Sequence, residues 1–293
     1  MVADRQRPEL LAIVGPTASG KSDLALKLAK EFTGEVITAD SRTIYKGMNI
    51  GTAKPSASDQ GAIKHWGLDL VEPGERFSAY QFQKYAREAI ADIQKRGKLP
   101  ILVGGTGLYV DSTLYRYKFG PDVDSEERKK LENLEVHELQ DIISEYGYKM
   151  PTNLRNRRHL IRTIETRGHN ENTKKIKHLA NTLIVGLLPP DEVMIKNISG
   201  RVEKMFQDGL VEETKQLIIK YGQHILPSAG IGYVAVSDYI NGLAPLEITK
   251  NNLIHDNWQY ARRQRTWFRR NKFIQWFPDG KQAYEYIKTI LNK

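Results

Sequence analysis

Short apolar runs alternate with segments of helical periodicity through the first third of the chain. Residues 10–14 form an unbroken apolar run short enough for a buried strand, and 20–32 carry the spacing of a helix. Two further runs, 35–38 and 68–71, end at Ala39-Asp40-Ser41 and at Glu72-Pro73-Gly74, so a strand is predicted at each. Residues 78–96 place Tyr80, Phe82, Tyr85, Ala89, Ile90 and Ile93 on an i, i+3, i+4 stripe with Gly97 as its stop, which predicts a helix. Residues 99–103 are the next strand and run into Gly104-Gly105-Thr106-Gly107. This alternation predicts an α/β fold, a parallel sheet flanked by helices.

Beyond about Tyr115 the pattern changes. Residues 117–177 are rich in charge and poor in long apolar runs, and read as helices and loops inserted into the core. Strand character returns at 183–188, closed by Pro189-Pro190, and is followed by helical patterns at 191–207, 210–221, 229–241 and 247–270, with 272–277 as a last strand. The expected organisation is therefore a first core part over 1–116, a mainly helical insertion domain over 117–182, and a second, mainly helical core part over 183–293. No internal repeat or low-complexity tract interrupts this order.

Composition narrows the function classes. Among 293 residues there is no cysteine, which excludes a disulfide framework, a cysteine nucleophile and iron–sulfur ligation. The seven histidines form no H-x-x-x-H or H-E-x-x-H pair, so a structural zinc site is not expected. No apolar run approaches the roughly 20 residues that span a bilayer, and the first eight residues are charged, without an apolar leader. A soluble cytoplasmic protein with no membrane partner is the expectation. No self-complementary coiled-coil pattern or long apolar face is visible, so it is expected to be a monomer.

Lys plus Arg outnumber Asp plus Glu by 44 to 35, and the excess is local. Residues 149–177 hold nine Lys/Arg against Glu165 and Glu171, and 255–272 hold six against Asp256. In the second stretch Trp258, Tyr260, Trp267 and Phe268 interleave with Arg262, Arg263, Arg265, Arg269 and Arg270. That interleaving suits phosphate contact and stacking on an unpaired base. An amphipathic helix with a solvated basic face and a buried aromatic stripe gives the same pattern, and Trp258 divides evenly between the two; Trp267 and Phe268 are expected in the core.

The most specific motif is Gly15-Pro16-Thr17-Ala18-Ser19-Gly20-Lys21-Ser22, a match to G-x-x-x-x-G-K-[ST] placed after a strand and at the head of a helix. Its backbone N–H groups form an anion nest, the helix N-terminus adds partial positive charge, Lys21 reaches a phosphate and Ser22 can ligate Mg²⁺. The ligand should carry a diphosphate, with ATP as the default. Against ATP hydrolysis, the strand at 99–103 ends in Gly-Gly-Thr rather than in the aspartate that Mg²⁺-dependent ATPases place there. The carboxylate nearest in pattern is Asp40; at a strand's carboxyl end it should face the phosphate loop, or else cap a turn with Ser41.

In these motifs the chain resembles the tRNA dimethylallyltransferases, also called tRNA isopentenyltransferases. The resemblance rests on residues 15–22, on Ala39-Asp-Ser-Arg-Thr-Ile-Tyr45, on Gly47-Met-Asn-Ile-Gly-Thr-Ala-Lys-Pro55 and on 99–109. It extends through Arg201-Val-Glu-Lys-Met205, Gly209-Leu-Val-Glu-Glu213, Gly230-Ile-Gly-Tyr233 and residues 259–268, nearly the whole chain. It departs at Val234-Ala235, where the family continues Lys-Glu, and at Arg42-Thr43, where many relatives have a glutamine.

The resemblance implies a P-loop NTPase-like core and transfer of a dimethylallyl group from dimethylallyl diphosphate to N6 of the adenosine 3′ to the anticodon. In that reading Gly15, Thr17, Ala18, Ser19, Gly20, Lys21, Ser22 and Arg201 hold the diphosphate, Ser22 the Mg²⁺ cofactor. Lys21 assists the leaving group, Asp40 accepts the N6 proton and Thr106 hydrogen-bonds near the amine. Asp40, Ser41, Arg42, Thr43, Thr106, Arg128, Arg158, Arg162 and Arg262 would contact tRNA, with the insertion clamping the anticodon stem-loop. Three alternatives share parts of the pattern: a P-loop kinase of a small metabolite, an isopentenyltransferase acting on free adenine nucleotides, and a nucleotide-gated RNA-binding module without chemistry.

Overall fold

The computed structural model describes residues 8–115, 117, 119, 125–168, 181–226 and 230–292. The expected helical start at Ala229 and the basic residues Lys174, Lys175 and Lys177 lie outside them. The chain divides into two compact units, residues 1–115 with 178–293, and residues 116–177.

In the larger unit the elements run β1 (Leu10–Val14), α1 (Lys21–Glu31), β2 (Gly34–Thr38), α2 (Ala57–Ala62), β3 (His65–Trp66), α3 (Ala79–Lys95), β4 (Leu99–Gly104) and α4 (Gly107–Leu114). In the smaller unit lie α5 (Ser125–Glu132), α6 (Val136–Glu145) and α7 (Arg157–Glu165). The larger unit resumes with β5 (Thr182–Leu187), α8 (Asp191–Gln207), α9 (Leu210–Tyr221), α10 (Ile231–Ile240), α11 (Leu246–Phe268), β6 (Gln275–Phe277) and α12 (Gly280–Leu291). The sheet has six strands in the order β3-β2-β4-β1-β5-β6, every pair parallel.

Both faces of this sheet are buried, as a parallel sheet requires. Successive side chains of β1 point to opposite faces. Leu10, Ala12 and Val14 pack with Phe82, Ala86 and Ile93 of α3 and with Tyr109 and Leu114 of α4. Leu11 and Ile13 pack with Leu24 and Leu28 of α1 and with Ala283 and Ile287 of α12. A third cluster, centred on Ile44, Met48, Val202, Leu210, Tyr233 and Leu253, joins the segment after β2 to the C-terminal helices. The boundaries of α3 follow from capping. Ser78 Oγ accepts from the Gln81 N–H at 3.2 Å and Gln81 Oε1 accepts from the Ser78 N–H at 2.7 Å, a reciprocal box that satisfies two orphan donors.

Two expectations are corrected here. The third strand is His65–Trp66, paired to Val36 and Ile37, rather than 68–71. Gly67, at φ 85°, turns the chain out of the sheet; beyond it Leu70 and Val71 pack into the third cluster, and Val71 forms only an isolated bridge to Tyr45. The smaller unit ends at Lys177, short of the expected limit at 182, because Thr182 already pairs with Leu10 in the sheet. Helices α2, α4 and α12 are additions to the expected elements.

Glu35 is the one acidic side chain placed within a strand of this sheet, and its side chain is 2% exposed. The guanidinium of Arg96, at the end of α3, forks onto it, Lys98 Nζ lies 2.9 Å away and the Trp66 indole donates at 2.9 Å. These donors, Arg96 foremost, hold the carboxyl down at about 2. A folded-state value below the unfolded 4.5 stabilises the fold above pH 4.5. That contribution is lost as pH falls from 4.5 towards 2. Thermal melts of Glu35→Gln should therefore show a lower Tm than the parent at pH 7 and a shallower decline between pH 5 and pH 3.

The smaller unit has its own core of Leu131, Leu139, Ile143, Leu160, Ile161 and Ile164. Glu165, with a fully buried side chain, is held there by Arg128 at 2.5 Å and Arg162 at 3.3 Å.

Candidate functional site

The site is assembled at the carboxyl ends of β1, β2 and β4. The motif loop leaves β1 and returns into α1 with Ala18 and Gly20 at φ 60° and 86°, which turns its amides inward as an anion nest does. Lys21 Nζ donates to the Pro16 carbonyl at 3.0 Å, folding the side chain back over the loop. Arg201, from α8, donates from Nη1 to Thr17 Oγ1 at 2.9 Å. Asn197, one turn earlier on α8, donates to the Ala18 carbonyl at 3.1 Å.

A cavity of about 240 Å³ opens beside this loop, lined among others by Thr17, Lys21, Ser22, Asp40, Thr43 and Arg201. Burial and the neighbouring Arg201 push the Lys21 ammonium down to about 8, against the opposing pull of Asp40. Burial lowers Arg201 as well, again opposed by Asp40. Two desolvated cations side by side favour a multiply charged anion between them, because an anion relieves both their mutual repulsion and their lost hydration.

Asp40 follows β2 directly, and the close approach of β4 sets its position. The Ala39 N–H donates to the Val103 carbonyl at 2.6 Å, and the Thr106 N–H donates to the Ala39 carbonyl at 3.2 Å. A Cβ on Gly104 would stand 2.0 Å from the Ala39 oxygen, so only glycine permits this crossing. Thr106 Oγ1 then accepts from the Ser41 N–H at 3.0 Å. Asp40 Oδ1 accepts from the Arg42 N–H at 2.8 Å. The aspartate thus lines the cavity and closes its own turn; the two sequence readings of Asp40 are compatible.

Two residues of α11 complete the site: Gln264, which the sequence did not single out, and Tyr260, which it offered only as one aromatic of the basic stretch. Gln264 is 5% exposed; its Oε1 accepts from the Thr17 N–H at 2.8 Å and its Nε2 donates to the Gly105 carbonyl at 2.9 Å. It ties the motif loop to the Gly-Gly-Thr turn. Tyr260 lines the same cavity, and its hydroxyl is pushed up by burial and by Asp40, while hydrogen bonds to Thr106 and Gln264 oppose the rise. The available signal for Gln264 was a polar residue among apolar ones, since it is buried along α11 with Leu253, Ala261 and Phe268 as well as Thr249.

Gly15, Thr17, Ala18, Ser19, Gly20, Lys21, Ser22 and Arg201 therefore meet in one loop-and-helix arrangement, and Asp40, Ser41, Thr43 and Thr106 meet beside it. Arg42 lines a separate open cavity of about 600 Å³ with Val234 and Ala235, so residues of both departures from the resembled pattern meet there. Arg262 is exposed on α11 and lines a third, with Arg263 and Arg270. Of the stretch's aromatics, Phe268 is buried as expected. Trp267 is only partly buried, its indole donating to Asp111 at 2.8 Å, and Trp258 packs partly buried against Met194, Ile198 and Ala261. In the smaller unit Arg158 is exposed, whereas Arg128 and Arg162 are engaged with Glu165.

A divalent ion fits the donor set in one manner. Ser22 and Asp40 offer oxygen atoms on the same cavity, and no cluster of three His, Cys, Asp or Glu suited to a metal exists among the described residues. An ion here would take its other oxygens from a bound phosphate and water, as Mg²⁺ does. Among the described residues no helix is long and apolar enough to cross a membrane.

The IPP transferase profile matches residues 43–271 and the isopentenyl transferase profile residues 8–69. A tRNA dimethylallyltransferase of Staphylococcus aureus (strain bovine RF122 / ET3-1) is 35% identical over 301 aligned residues, 97% of each chain. The solved full-length tRNA isopentenylpyrophosphate transferase of Bacillus halodurans is 34% identical with a TM-score of 0.72, covering 97% of this chain and 96% of that one. The tRNA delta(2)-isopentenylpyrophosphate transferase of Staphylococcus epidermidis is 32% identical, also at 0.72, with coverages of 97% and 98%. Likeness over nearly the full length of both sequence and fold agrees with the motif loop and its partners, and the chain belongs to the IPP transferase family, the tRNA dimethylallyltransferases.

Proposed function

We propose that the chain transfers a dimethylallyl group from dimethylallyl diphosphate to N6 of the adenosine 3′ to the anticodon in tRNA, releasing diphosphate. One observation carries the reading: a single cavity joins two desolvated cations, Lys21 and Arg201, to the carboxylate of Asp40. The cations suit a diphosphate leaving group and the carboxylate suits an amine that must lose a proton. As the allylic C–O bond breaks, its electron pair leaves with the diphosphate. The N6 lone pair forms the new N–C bond, and Asp40 takes the N6 proton. Mg²⁺, when bound at Ser22, supplies further neutralisation of the diphosphate charge.

The residues of the chain supply the rest. Lys21 and Arg201 stabilise charge that grows on the leaving oxygen. Thr106 and Tyr260 fix the edge of the site where the adenine amine must lie, and an aromatic amine, a weak nucleophile, gains most from such placement. The helical unit is assigned to phosphate contacts on the anticodon stem-loop, through Arg158 above all. We also propose that the chain acts as a cytoplasmic monomer, since its sequence carries no self-complementary coiled-coil pattern or long apolar face.

Incubation with labelled dimethylallyl diphosphate, Mg²⁺ and, separately, unmodified tRNA, AMP or ATP tests the acceptor. Label should enter tRNA alone; label in AMP or ATP would assign the chain to free nucleotides, and label in none would leave a binding module.

Arg158→Ala should raise the KM for tRNA and reduce the salt slope of tRNA binding by about one counterion, read by filter binding across a salt series. Arg162→Ala should in addition lower the Tm, since it strips a partner from the buried carboxylate of Glu165. Unchanged tRNA affinity and salt slope in Arg158→Ala would move the clamp to the Arg-rich face of α11.

A further inference from the structure

Glu213 lies outside the cavity and makes a set of contacts that its place in the first turn of α9 does not require. Its two carboxylate oxygens accept from three consecutive backbone amides: Asn49 N–H at 3.0 Å, Ile50 N–H at 2.9 Å and Gly51 N–H at 3.0 Å. Tyr233, fully buried in α10, donates its hydroxyl to Glu213 Oε1 at 2.7 Å. Charge-assisted bonds of this kind are about twice as strong as neutral ones. The segment that donates them has no regular secondary structure. It closes on itself through Ala53 N–H to the Ile50 carbonyl and Lys54 N–H to the Asn49 carbonyl, both 2.9 Å. Its three leading amides therefore point outward as an anion nest, and Glu213 fills it.

The fit is enforced from behind. A Cβ on Gly51 would stand 2.5 Å from Tyr233 Cζ, so the backbone at Gly51 lies directly on the ring and any side chain there would expel it. The far side of the same segment is functional surface: Thr52, Ala53, Lys54 and Pro55 line the cavity that holds Lys21 and Asp40. Lys54 is itself fixed, with Nζ on the Tyr45 carbonyl at 2.8 Å and on Asp69 at 2.7 Å. One face of the segment thus rests on Glu213 and Tyr233, and the other forms a cavity wall.

We infer that Glu213, with Tyr233, is a positioning residue for the donor: its carboxylate organises the amides of residues 49–51 and thereby holds the wall 52–55 against dimethylallyl diphosphate. This rests on the proposed function and deepens it. Glu213 touches no reacting atom, so its removal should act on donor binding and leave the chemistry of a saturated enzyme intact.

Steady-state kinetics with tRNA and dimethylallyl diphosphate separate the terms. In Glu213→Gln the side-chain volume is kept, but one oxygen becomes an NH₂ that faces N–H donors. Its KM for dimethylallyl diphosphate should rise roughly 10- to 100-fold, by analogy with the loss of groups that orient metal ligands, with kcat and the KM for tRNA unchanged. Glu213→Ala should show the same defect and recover on addition of formate, which can occupy the nest, and not on addition of chloride at equal ionic strength. Should the alanine variant fail to fold, Tyr233→Phe takes its place: it keeps the carboxylate and should give a smaller rise in the same KM alone.

A donor KM at the parental value in folded Glu213→Gln overturns the inference, as does a parallel loss of kcat, tRNA affinity and donor affinity. If the parent binds dimethylallyl diphosphate but prenylates no tRNA, the proposed activity falls by itself. Calorimetric donor affinities of the same variants then still decide the role of Glu213.

Discussion

Asp40→Asn should lower the single-turnover rate of prenyl transfer by roughly 10² to 10⁴, the usual contribution of a positioned general base, with tRNA affinity nearly unchanged. The substitution is isosteric, and the amide oxygen can still accept the Arg42 N–H that Asp40 Oδ1 now holds at 2.8 Å. The turn should therefore survive while the proposed proton acceptor is lost. Asp40 is also the anion that opposes the lowering of both Lys21 and Arg201; its neutralisation removes a repulsion on the diphosphate but also a charge that holds Lys21 protonated, so donor affinity should change little. A rapid-quench measurement with saturating donor checks the rate; a value near the parent would leave Asp40 as the cap of its own turn and nothing more.

Lys21→Ala should weaken dimethylallyl diphosphate binding and slow the chemical step, by roughly 10² to 10³ if the ammonium acts as a preorganised stabiliser of the leaving oxygen. The native lysine also predicts a pH signature. Held near 8 by burial and by Arg201, it is protonated below that pH and binds the donor best there; affinity should fall as pH rises through 8. Donor binding near pH 8 should take up protons, because the diphosphate restores the charged form. In the empty protein the sign of the stability effect is reversed. The unfolded chain holds this proton up to about 10.5 while the fold releases it near 8, so the penalty of burying the charge is complete below pH 8 and is relieved as pH climbs from 8 to 10.5. Calorimetry in buffers of different ionisation enthalpy reads the proton uptake. A folded Lys21→Ala protein with parental donor affinity would remove the motif loop from the donor site.

Much of this was written in local pattern. The β1–loop–α1 unit is legible because an apolar run, a glycine-bounded loop and an amphipathic helix each announce themselves over a few residues, and α3 is bounded by its Ser78/Gln81 box. The proximity of Asp40 to the loop follows from the parallel sheet rule alone. What the sequence withheld was long-range. A two-residue edge strand, His65–Trp66, is too short to show a period, and Leu70 and Val71 make a more convincing strand although the third cluster claims them. Gln264 sits 247 positions from the amide it caps, in a helix whose basic and aromatic residues draw attention to its other faces. Glu213 reads as an ordinary acid in the first turn of a helix until the segment 49–51 is brought against it. The helix α12, with Asp279 capping Gln282 and Ala283, Tyr284, Ile287 and Leu291 buried at helical spacing, needed no tertiary information and was readable.

The measurement that bears most directly on prenyl transfer is mass spectrometry of nucleosides from unmodified tRNA incubated with the chain, dimethylallyl diphosphate and Mg²⁺, with released diphosphate assayed in parallel. The expected result is one N6-dimethylallyladenosine per tRNA, located 3′ to the anticodon, formed in step with one diphosphate and abolished by Asp40→Asn and Lys21→Ala together. Unmodified adenosine at that position, or phosphate release from ATP with no prenylated nucleoside, would contradict it.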